Sequence, residues 1–111
     1  MIYNGAKAKI YLKYKGSIED ISKVISKGMI LPEFYFETDE EYPHNVTSNC
    51  EALGFSIWLN KLTDENDFNY ILEIETNLSL EESFNDLLCD LSPWLAKYVS
   101  EICGIETFVN I

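Results

Sequence analysis

Between residues 78 and 104 the apolar side chains return at steps of three and four: Leu80, Phe84, Leu87, Leu88, Leu91, Leu95, Tyr98, Val99 and Ile102. A stripe of that width is what an amphipathic helix buries, so the remainder of the chain must supply a surface to pack against it. Ser79 and Glu82 have capping-box spacing, and Gly104 can take the left-handed conformation that stops a helix. Pro93 follows Ser92, which fits a second start with Ser92 as N-cap and Pro93 in the first turn. The pattern predicts one kinked helix or two nearly collinear ones. The stripe specifies a fold and carries no chemistry.

Upstream, the period changes to two. Over residues 6–14, Ala8, Ile10, Leu12 and Tyr14 alternate with Lys7, Lys9, Tyr11 and Lys13, the pattern of a half-buried strand. Ser17 and Asp20 open a helix over residues 18–27, with Ile18, Ile21, Val24 and Ile25 inward and Gly28 as its stop. Residues 33–37 form a second strand, with Phe34 and Phe36 on one side and Tyr35 on the other. Residues 38–51 are polar, contain Pro43 and are expected as a loop, long enough that a functional role is common.

A hairpin follows: Leu53, Phe55, Ile57 and Leu59 point inward from residues 53–62, then Phe68, Tyr70, Leu72 and Ile74 from residues 68–76. Residues 106–111 make a terminal strand. The order β-α-β-β-β-α-β predicts one domain over residues 1–111. Its class is α+β: a two-layer α/β sandwich with a mostly antiparallel sheet and helices on one face. Lysines, glutamates, Tyr11 and Trp58 fall on the sheet's other face, which is expected to meet water.

Charge narrows the function. The formal net charge is -11, and all eight basic residues are lysine. Arginine is the usual bidentate phosphate ligand, so nucleic-acid binding is not expected. Residues 1–27 carry six lysines and two acids, and the rest two lysines and seventeen acids. A basic first strand in an otherwise negative surface favours a basic partner. Cys50, Cys89 and Cys103 have no paired spacing and there is one histidine, so no metal or other cofactor is expected. No run is long and apolar enough to span a bilayer, and the first residues lack a signal-peptide core. Together with free thiols this predicts a cytoplasmic protein with no membrane partner.

Catalytic patterns are weak. His44 sits between Pro43 and Asn45 without a nucleophile in a recognised setting, and it reads as an exposed loop residue rather than a general base. The expectation is therefore not an enzyme. Glu37, Asp39, Glu40 and Glu41 lack EF-hand spacing, which reads as a solvated acidic run rather than a calcium loop. The same run is interleaved with Tyr35 and Tyr42, lies near Trp58, and has Glu51 beyond it. Aromatics among charges are the composition of a protein interface. Asp64, Glu65 and Asp67 add a second acidic group at the hairpin turn.

Three stretches, EFYFETDEEYP, GFSIWLNKL and LSPWLAKYVSEICGIETFVNI, sit in a small acidic chain rich in isoleucine and asparagine. In architecture the chain resembles the immunity proteins of bacterial toxin systems, including contact-dependent growth inhibition. The resemblance implies a partner: a cognate toxin domain, basic because it holds phosphates, such as a nuclease. Glu37, Asp39, Glu40 and Glu41 would then stand in for phosphates, with Tyr42 and Trp58 as anchors. The alternative is a ferredoxin-like regulatory module. It would bind a small molecule, or form a homodimer in which Lys7, Lys9 and Lys13 meet Glu73 and Glu75 of a second copy.

Overall fold

The chain, seen in a computed structural model that describes residues 5–38, 46–62, 68–77 and 88–109, wraps two helices against one side of a sheet. The elements are β1 (Gly5–Lys13), α1 (Ile18–Met29), β2 (Tyr35–Thr38), β3 (Val46–Ala52), β4 (Phe55–Lys61), β5 (Tyr70–Thr76), β6 (Leu88–Asp90), α2 (Ser92–Cys103) and β7 (Glu106–Phe108). The strand order is β2-β3-β4-β5-β1-β6, and β7 also pairs with β1. Every pairing is antiparallel except β1 with β6. The two-layer α+β sandwich expected from the sequence is what forms.

Alternation sets the core. Ala8, Ile10 and Leu12 of β1, Ile57 and Leu59 of β4, and Tyr70, Leu72 and Ile74 of β5 are buried in one cluster. Ile18, Ile21 and Ile25 of α1 and Leu95, Ala96 and Val99 of α2 close over them. Each fully buried leucine or isoleucine contributes about 1.5–3 kcal/mol. Tyr70 is buried whole because its hydroxyl donates to the Gly16 carbonyl at 2.6 Å.

Five local readings differ from the sequence pattern. Val46–Ala52 is a strand, not part of a loop: β3 pairs with both β2 and β4. Its inward side is Ser48 and Cys50, flanked by Val46 and Ala52, too polar and small to show as an apolar period. The Ser48 hydroxyl is fully buried and bonds the Ser22 hydroxyl of α1 at 3.0 Å, which makes its burial tolerable.

Leu88–Asp90 is a strand beside Gly5–Lys7, although Leu88 fits the helical stripe. The part of the stripe over residues 78–87 lies outside the described residues. Leu53 is not a core strand residue. With Gly54 it forms a two-residue turn, φ 53° and 81°, and it is 98% exposed. Finally, Gly28 does not stop α1. It lies inside the helix, where a Cβ would sit 2.5 Å from Cys103 Sγ of α2. The stop is Ile30, in the left-handed region, its backbone capping Ser26.

The start of α2 seals a sheet edge. β6 pairs with residues 5–7 of β1 and β7 with residues 11–13, which leaves a gap between them. Leu91 N–H donates to the Lys7 carbonyl at 2.7 Å, and Lys9 N–H donates to Ser92 Oγ at 2.9 Å. Ser92 is therefore not the N-cap; Leu91 is, and the serine hydroxyl serves the sheet.

Candidate partner-binding face

The pairing registers fix which side chains share the sheet's outer face. One row runs straight across five strands: Tyr35, Asn49, Trp58, Glu73 and Lys9. A second row holds Glu51, Ser56, Glu75, Lys7 and Asp90. A third holds Glu37, Thr47, Asn60, Ile71, Tyr11 and Phe108. Neighbours in a row have Cβ atoms about 4.5–5.5 Å apart, so each row is a line of touching side chains.

Of the nine residues expected at the partner site, the described residues include two, Glu37 and Trp58. Both lie on this outer face, two strands apart, Glu37 exposed and Trp58 39% exposed. Asp39, Glu40, Glu41, Tyr42, Asp64, Glu65 and Asp67 lie outside the described residues, as does His44. Tyr35 and Glu51, which the sequence groups with the acidic run, share this face. Tyr35 is 74% exposed beside Asn49, and Glu51 belongs to a strand rather than to a loop. Glu73 and Glu75 were legible as outward from strand alternation. Their position beside Trp58 and Ser56 required the register.

Charge is distributed unevenly over the face. Lys7 stands between Glu75 and Asp90, and Lys9 stands beside Glu73 with its ammonium 5.9 Å from the centre of the Tyr11 ring. The basic stripe of β1 is thus interleaved with carboxylates of its own chain. That removes most of the complementarity which a face-to-face homodimer would draw from Lys7, Lys9, Glu73 and Glu75. Among the described residues, the acids of this face without a lysine beside them, Glu37 and Glu51, lie on the β2 and β3 side, next to Tyr35 and Trp58.

A groove of about 460 Å³ runs over the face between Trp58 and Glu73 on one side and Lys7, Asp90 and Ser92 on the other. Asp90 is held below its ordinary carboxylate value. The Ser92 hydroxyl, 2.5 Å from Oδ1, is the main cause, followed by the Ser92 N–H at 3.0 Å and the nearby Lys7. At neutral pH this carboxylate is a fixed negative charge. The Ser92 hydroxyl donates to this carboxylate while accepting from Lys9 N–H, which holds the groove wall to β1.

Burial raises the pKa of both Cys50 and Cys103, which favours their protonated form. No helix among the described residues is long and apolar enough to cross a membrane. Compared with protein-family models, with curated proteins and with solved structures, the chain matches none of them.

Proposed function

We propose that this domain is an immunity protein: it binds a cognate bacterial toxin domain that is basic, such as a nuclease, and blocks it with an acidic and aromatic surface. The observation that carries the reading is the β2–β4 side of the outer face, where Glu37 and Glu51 lie with Tyr35 and Trp58 and, among the described residues, no lysine stands beside them. A surface that holds carboxylates in rows can take the place of a phosphate backbone in a basic cleft. Complementary charge speeds encounter, and aromatic anchors slow release. The overall charge of -11 extends the same attraction beyond the contact.

The gene beside this one supplies the test. It should encode a larger protein ending in a basic toxin domain that co-purifies with this chain. Trp58→Ala should weaken that complex by about 2 kcal/mol, the loss typical of a central aromatic anchor. Full affinity in Trp58→Ala together with Glu37→Lys would remove this face from the interface.

A further inference from the structure

The two sides of the sheet end differently. On the β1 side, the edge is covered by β6, β7, Leu91 and Ser92, and the covering strands are only three residues each. On the other side, β2 is the terminal strand, paired only through β3 among the described residues, with all four residues exposed. Natural edges are usually guarded by lysine, proline or a covering element. β2 instead presents Tyr35 at 74% and Phe36 at 45% exposure. Its outer side therefore offers a row of backbone N–H and C=O groups beside uncovered aromatic surface.

A groove of about 220 Å³ lies along the inner side of the same strand. Phe34 and Phe36 form its apolar wall, Ser22 and Ser26 of α1 stand opposite, and Lys23, Lys27 and Glu33 complete its lining. The outer side of β2 carries Tyr35 and Glu37. A strand laid against β2 would thus meet two unlike environments in alternation. Its outward side chains would face a carboxylate and a phenol ring. Its inward side chains would face a phenylalanine-lined groove, which favours apolar side chains and whose charged lining holds two lysines against one glutamate.

We propose that β2 is a strand-addition site for an extended segment of a basic partner, one with cationic side chains at every second position and apolar ones between. This rests on the reading of the domain as a binder of a basic protein, and it names how that partner is held: by main-chain bonds along Tyr35–Thr38, with alternate side chains giving specificity. A second copy is the poorer occupant. Pairing two β2 strands would double Glu33 and Glu37 along the seam between chains of net charge -11.

The test is amide hydrogen exchange of the full chain, alone and with a blocked peptide of alternating lysine and valine. A glutamate–valine peptide is the control. The lysine–valine peptide should slow exchange across Tyr35–Thr38 by about tenfold at saturation, the control should not, and Phe36→Lys should abolish the effect. If Phe36→Lys does not fold, the two peptides on the unaltered chain still decide. Three results overturn the proposal: no protection of β2 by either peptide; protection confined to β4 and β5, which places a cationic chain on the face and leaves the immunity reading intact; or protected β2 without peptide together with a dimer in sedimentation, which makes a second copy the occupant.

Discussion

Ser22 and Ser48 test the placement of β3 inside the sheet. Ser48 is fully buried and Ser22 is 3% exposed, and their hydroxyls bond each other across the layer between α1 and β3. Ser22→Ala leaves the Ser48 hydroxyl on a strand with its partner gone, a desolvation cost of about 1–3 kcal/mol. Alanine's better helix propensity returns up to about 0.5 kcal/mol, so the net loss is about 1–2 kcal/mol. Ser48→Ala should cost less, about 1 kcal/mol, because a helical serine can turn its hydroxyl back to the carbonyl of the preceding turn. Removing both hydroxyls leaves nothing unpaired, and the double variant should lie within about 0.5 kcal/mol of the parent. The assay is urea unfolding of all four proteins, with stability taken from midpoint and slope. The predicted signature is a double variant more stable than Ser22→Ala alone. Additive losses would refute the pairing, and with it the register that brings residues 46–52 under α1.

Other consequences follow from single contacts. Leu53→Asn should raise stability by about 1 kcal/mol in the same assay, because leucine is strained at φ 53° in a two-residue hairpin turn and 98% exposed there, whereas asparagine suits the position. Asp90 has a folded-state pKa below its unfolded value, so its contribution is present above about pH 4 and is lost as the pH falls through the depressed folded value. Stability measured against pH should therefore drop less on the acid limb in Asp90→Asn than in the parent; equal slopes would remove the Ser92 bonds as the cause. Leu59→Ala, at the centre of the core, should cost about 2–5 kcal/mol.

What was legible in the sequence follows from where each residue's neighbours come from. β1 and β5 alternate large apolar residues mostly with charges, and β4 alternates them with Ser56, Trp58 and Asn60, so local period alone revealed both strand and inward face. β3 did not, because a buried serine is acceptable only when another segment supplies its partner, and Ser22 is 26 positions away. The same blindness affected Ser92. Its place before Pro93 suggests an N-cap, yet the hydroxyl is claimed by Lys9 N–H and Asp90. Gly28 reads as a stop signal, and only the approach of Cys103 explains a glycine within the helix. Of the partner face, the carboxylates and aromatics were visible as composition. Their assembly into rows depended on six strand pairings, of which the local pattern showed only the β4–β5 hairpin.

The most direct measurement of the central claim is the association rate between this chain and the basic toxin domain proposed as its partner, taken across a range of salt. The account predicts fast association at low salt, a steep fall as salt rises, and a flatter fall for a variant with Glu37 and Glu51 both changed to lysine. A rate that is indifferent to salt, or the same salt slope in parent and variant, would contradict it.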